Sequence, residues 1–137
     1  MAKPVPIGTR GEAETTVQAK NTLTAWKAHL PPVYATPNMI GMMESAAYNA
    51  LEPYCEGDEV SVGTAINIVH RAPAVEGQTI KAEAVLDSFD GRFYTFKESA
   101  SNGNEVIGYG TVGRAIVSKA KFEARQRREA EQHKVRQ

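Results

Sequence analysis

At 137 residues, 42% hydrophobic and 23% charged, the chain has the length and composition of one globular domain; it is too apolar to stay disordered and too evenly mixed to be fibrous. Its 16 basic and 16 acidic residues cancel, which argues against a nucleic-acid binder with a basic excess. A single cysteine, Cys55, excludes an internal disulfide framework and any multi-cysteine metal cage, and it suits a reducing compartment. No apolar run approaches the roughly 18 residues of a membrane span, and the N-terminus lacks a hydrophobic leader core, so the expectation is a soluble cytoplasmic protein.

Residues 1–10, with Pro4, Pro6 and Gly8, read as an extended lead-in to one domain spanning 1–137. Weak alternation predicts a first strand over residues 12–19. Trp26 and Leu30 suggest a short helical turn, broken at Leu30-Pro31-Pro32. Thr36-Pro37 then marks a helix start, with a hydroxyl at the N-cap and proline at the first helical position. That helix runs to Leu51, and Pro53 closes it. Apolar residues cover more than half its circumference, as in a helix surrounded by protein, and Ile40, Met43, Ala47 and Leu51 share one buried face.

After Gly57-Asp58 the hydrophobic period becomes two. Val60, Val62, Thr64, Ile66, Ile68 and His70 have one parity and so one face of a second strand; Ser61, Gly63, Ala65, Asn67, Val69 and Arg71 take the other. Three more strands follow over 79–87, 93–100 and 106–117, with hairpin signals at Asp90-Gly91 and Asn102-Gly103. Residues 119–137 read as a polar helix with seven basic and three acidic residues, a solvated face or a basic patch near an anionic ligand. The class is α+β: a five-stranded antiparallel sheet with one apolar helix. One helix covers one sheet face only, and strands three to five carry apolar residues at both parities (Val85 with Leu86, Val106 with Ile107, Ile116 with Val117), so a homodimer is expected.

Three polar side chains stand where apolar ones belong. Glu44 lies in the middle of the apolar helix on the face of Ile40 and Ala47. It either reaches solvent or is a buried carboxylate with a raised pKa, suited to act as base or nucleophile. His70 ends the second strand, where an imidazole serves proton transfer near neutrality. Thr36, at the helix mouth, sits in a positive local field as well as capping. Gly63, beside Thr64, marks either a bulge or a place where a ligand meets bare backbone. Arg114 interrupts the last strand as a paired cation or a substrate contact. No phosphate loop, zinc motif or serine elbow occurs, and three dispersed histidines with one cysteine hold no metal. Neither a metal nor a cofactor is expected.

The stretch Val33-Tyr34-Ala35-Thr36-Pro37-Asn38-Met39-Ile40-Gly41-Met42-Met43-Glu44-Ser45-Ala46, followed by Gly63-Thr64-Ala65-Ile66-Asn67-Ile68-Val69-His70, resembles the hotdog-fold thioesterases, and among them the fluoroacetyl-CoA thioesterase subfamily. The likeness extends through Ile107-Gly108-Tyr109-Gly110-Thr111 to Phe122. It implies a sheet wrapped around the central helix, and hydrolysis of a small acyl-CoA thioester with Thr36, Glu44 and His70 as catalytic residues. It also implies that Gly63 lies near the thioester carbonyl, and that Leu30 stands where the fluoroacetyl-specific enzyme has an aromatic gate. Tyr34 and Arg114 complete the candidate substrate contacts. The resemblance further implies a dimer with active sites at the subunit interface; the charge balance and the lack of a long apolar run lead to the expectation of no nucleic-acid and no membrane partner. The competing readings are a non-catalytic acyl-CoA or small-ligand binder on the same fold and an enoyl-CoA hydratase, whose aspartate–histidine signature is missing.

Overall fold

A computed structural model describes residues 2–136, apart from the side chain of Arg136; Met1 and Gln137, the outer ends of the expected lead-in and polar helix, lie outside the described residues. Alternating sequence becomes five strands: β1 (Arg10–Thr16), β2 (Glu59–His70), β3 (Thr79–Phe89), β4 (Phe93–Ser101) and β5 (Val106–Ser118). They form one antiparallel sheet in the order β1-β3-β4-β5-β2. Both hairpin signals work through side-chain acceptors. Asp90 Oδ1 accepts the backbone N–H groups of Arg92 and Phe93, and Asn102 Oδ1 those of Asn104 and Glu105.

Two expectations shift near the N-terminus. The first strand starts and ends earlier than its weak alternation indicates, because pairing with β3, from Arg10↔Val85 to Thr16↔Thr79, sets its limits. The helical turn expected around Trp26 and Leu30 lies just before them, as two short 3-10 turns at Ala19–Asn21 and Leu23–Ala25.

The apolar helix is α1 (Thr36–Leu51), and it lies across one face of the sheet. It buries Met39, Met43, Ala46, Ala47, Ala50 and Leu51, whereas Ile40 is only half-buried, so the inward stripe is rotated from the expected one. The small residues explain the rotation. Ala46 and Ala50 seat the helix on β1 at Gly11, where a Cβ would collide with the Ala46 carbonyl oxygen. Phe96, Leu86, Ile80, Ile107 and Val112 rise from the sheet into the same core, each contributing roughly 1.5–3 kcal/mol through burial.

Strand β2 departs from simple alternation. Its pairing with β5 runs Val62↔Ala115, Gly63↔Arg114, then Ala65↔Gly113, which leaves Thr64 as an extra residue in a bulge. One inserted residue reverses parity for everything after it. The single face drawn from Val60 through His70 is therefore corrected: Ser61 and Gly63 before the bulge share the helix-facing side with Ile66, Ile68 and His70 after it.

The polar helix α2 (Lys119–Arg136) leaves the end of β5. Its start is tied down by Asp58, whose carboxylate accepts the Ser118 hydroxyl and the Ala120 N–H; these donors hold the Asp58 carboxyl below its ordinary range. No helix among the described residues is long and apolar enough to cross a membrane.

Candidate active site

The first turn of α1 meets the end of β2. Ala35, in extended conformation, is the N-cap, and no side chain caps the helix. Thr36 is thus the first helical residue rather than the cap, a correction with a clear cause: its hydroxyl is turned toward the sheet, where Oγ1 shares a hydrogen bond of 2.7 Å with His70 Nδ1. This bond fixes the imidazole and leaves its other nitrogen, Nε2, buried and without a hydrogen-bond partner among the described residues. A cleft of about 290 Å³ opens beside the pair, bordered by Leu23, Val33, Tyr34 and Pro73. Tyr34 is a core residue at the cleft wall, and burial pushes its phenol up to about 12. Leu30 belongs to the preceding loop, where its carbonyl accepts the Thr24 hydroxyl; it does not line this cleft.

Two turns further along α1, Glu44 meets β5. Arg114 Nη1 donates to Glu44 Oε1 at 3.0 Å. The guanidinium is itself held by Ser61: Nε donates to its hydroxyl at 3.0 Å and Nη2 to its carbonyl at 2.9 Å, with the charge 5.8 Å from the centre of the Tyr48 ring. Arg114 is therefore a paired, buried cation. The Glu44 side chain keeps 30% exposure against 7% for Arg114, so it is a rim carboxylate in a cationic cradle rather than an isolated buried acid. Its second oxygen lies against Gly63, where any Cβ would collide with Oε2. Both readings of Gly63 hold at once: Thr64 makes the bulge, and the bare backbone beside it admits the carboxylate.

The bulge brings Gly63 to the same side as His70, and α1 carries Thr36 and Glu44 over that side. The site thus has two halves, Thr36–His70 and Glu44–Arg114–Gly63. Among the described residues no hydrogen bond joins Glu44 to His70 or Thr36. One half offers a hydroxyl and an imidazole for moving a proton; the other offers a carboxylate oriented by a fixed cation.

Sequence reasoning missed Glu98. It occupies an inward position of β4 between Phe96 and Ala100, is 6% exposed, and among the described residues neither of its oxygens has a hydrogen-bond partner. Burial pushes its carboxyl up to about 9; the charge of Glu44 acts in the same direction and that of Arg114 against it. The signal was present: the alternation Tyr94, Phe96, Glu98, Ala100 sets an acid in an otherwise inward-facing row.

Known proteins share this fold. The chain is 42% identical over 100 residues to the fluoroacetyl-CoA thioesterase of Streptantibioticus cattleyicolor, covering 73% of this chain and 72% of that one. It superposes on the solved fluoroacetyl-CoA thioesterase FlK with a TM-score of 0.86 and 35% identity, over 92% and 98% of the two chains. A Thermus thermophilus hypothetical protein described as a thioesterase superfamily member gives a TM-score of 0.90 at 29% identity, over 97% and 98%. The α+β architecture is the hotdog fold. Residues 17–120, the span that holds both halves of the site, match the family model described as fluoroacetyl-CoA-specific thioesterase, and the chain belongs to that family.

Proposed function

We propose that this protein hydrolyses small acyl-CoA thioesters to the free acid and coenzyme A. The observation that carries the reading is the Glu44 carboxylate, set between the Arg114 guanidinium and the bare backbone of Gly63. A thioester carbonyl placed there meets an ionised oxygen on one side and strand backbone on the other. Glu44 either draws a proton from an attacking water or adds to the carbonyl carbon itself, giving a mixed anhydride that water then hydrolyses to the free acid and the restored carboxylate. The Gly63 backbone helps hold the developing oxyanion, and the C–S bond breaks as the thiolate leaves. His70, fixed through Nδ1 by Thr36, presents Nε2 to orient water and shuttle the proton. Isotopically labelled water separates the two roles of Glu44: label in its carboxylate after one turnover supports direct attack.

The test of the activity is a panel of short acyl-CoA thioesters followed by free-thiol release. Turnover of at least one, dependent on Glu44, is the expected result. Saturable binding without thiol release would transfer the protein to the class of acyl-CoA binders.

The active form in this reading is a homodimer, with acyl-CoA entering at the subunit interface. Support comes from β2, a 12-residue strand at the sheet edge that leaves Ile66 and Val69 44% and 48% exposed. A second copy paired along that edge covers both and closes over Gly63. Sedimentation equilibrium is expected to give twice the chain mass, and a monomer mass at working concentration removes this part of the proposal. The free thiol of Cys55 fits a cytoplasmic setting.

A further inference from the structure

Glu98 is a buried acid that this mechanism leaves unused. An acid with neither oxygen satisfied is a costly occupant of a core position that leucine or methionine would fill without a polar penalty. Its place in the sheet is informative. Along the helix-facing side, one row of paired residues reads Ala82–Ala100–Gly108–His70, and the next reads Ala84–Glu98–Gly110–Ile68. Beyond the following row come Arg114 and Gly63. Glu98 therefore lies between the levels of the two halves of the site, and its ionisation responds to both Glu44 and Arg114. Gly110, its neighbour on β5, contributes no side chain between it and the strand that carries His70.

The chemistry of an occupant follows. Both Glu98 oxygens are covered within the core face of the sheet, so an occupant has to enter between the helix and the sheet, which suits the small acyl end of a thioester and not the large, polar coenzyme A. A neutral carboxyl has one O–H to donate and a carbonyl oxygen to accept. A hydroxyl satisfies both, whereas a second carboxylate would face the charge of Glu44 with Arg114 already engaged. We propose that Glu98 is a specificity-determining residue whose carboxyl hydrogen-bonds a hydroxyl on the substrate's acyl group, selecting short hydroxyacyl-CoA thioesters over alkyl ones. The assignment rests on the hydrolase reading above. Keeping a carboxylic acid protonated in an apolar site so that it can donate a hydrogen bond is an established enzymatic device.

The test compares hydroxyacetyl-CoA with propionyl-CoA, which differ by a hydroxyl in place of a methyl. In the wild type, kcat/KM favours hydroxyacetyl-CoA by about tenfold or more, since a site built to hydrogen-bond a hydroxyl discriminates against its absence. Glu98→Met removes most of that preference, and Glu98→Gln, which still donates and accepts, retains most of it. A preference unchanged within about twofold in Glu98→Met overturns the assignment. Infrared difference spectra give a readout independent of turnover and of how the methionine variant folds. The protonated-carboxyl band of the wild type, absent in Glu98→Gln, shifts on adding hydroxyacetyl-CoA and stays in place with propionyl-CoA. An unshifted band overturns the assignment. Absence of thiol release from every thioester in the wild type instead removes the hydrolase reading, and the spectra still decide whether Glu98 senses the hydroxyl.

Discussion

Glu44→Gln is expected to lower kcat for acyl-CoA thioester hydrolysis by about a hundredfold or more, the range for loss of an acid–base residue, while KM changes little. Glutamine suits this test because it preserves the shape of the cradle. Its amide oxygen still accepts from Arg114 Nη1, and Ser61 continues to hold the other guanidinium nitrogens. What disappears is the negative charge, and with it both the base and the nucleophile. Alanine is the poorer probe. It leaves Arg114, 7% exposed, without its counter-charge, and removing one partner of a buried pair destabilises by about 3–5 kcal/mol. Glu44 is partly open to water, so its loss admits solvent to the cation and the cost falls toward the lower end. Near-normal turnover in a folded Glu44→Gln protein would show that the carboxylate is a structural counter-ion to Arg114 and that the chemistry resides elsewhere.

The elements most legible in the sequence were those governed by local rules. The helix over Thr36–Leu51 was bounded by Pro37 and Pro53, and both hairpins by Asp90-Gly91 and Asn102-Gly103, because these residues act on their own backbone. Glu44, His70 and Gly63 stood out as residues at odds with the pattern around them. What stayed hidden depended on distant partners. The Glu44–Arg114 bond joins residues 70 apart in the chain, and nothing in the neighbourhood of either records the other. The Thr36 hydroxyl had a local use as a cap and a distant one at His70, 34 residues away; the distant partner won. The bulge at Thr64 was legible only as an ambiguity at Gly63, and strict alternation then assigned Gly63 and His70 to opposite faces. Glu98 was passed over because a charged residue within a strand is ordinarily solvated. Its burial follows from the sheet being covered by α1, a property of the assembled fold.

Glu98 also controls the largest expected effect on stability. The unfolding free energy of the wild type is expected to fall as pH rises between about 5 and about 9, and Glu98→Gln to remove most of that slope. Burial pushes the carboxyl from its ordinary value of 4.5 up to about 9 in the folded chain. Between those values the folded state holds a proton that the unfolded state has released, so each pH unit lowers stability by about 1.4 kcal/mol. Below the window both states are protonated, and above it both are ionised, so the slope from this group vanishes at each end. At pH 7 the accumulated cost is about 3 kcal/mol, and Glu98→Gln, neutral in both states, is expected to be more stable by about that amount and to melt on the order of ten degrees higher. Every other titrating group, including the Glu44 and Arg114 that act on Glu98, is common to both proteins, so the difference between their pH profiles isolates this one proton. Chemical denaturation of each protein across pH 5–9 makes the measurement. Parallel profiles would mean that Glu98 is ionised in the folded protein, held by a cation or by water, and a charged carboxylate there has no O–H to offer an acyl hydroxyl. Diverging profiles, combined with the acyl preference expected of Glu98, would identify a residue that lowers stability in the empty site and is satisfied when substrate arrives, the exchange of stability for selectivity seen where a site is built for its ligand.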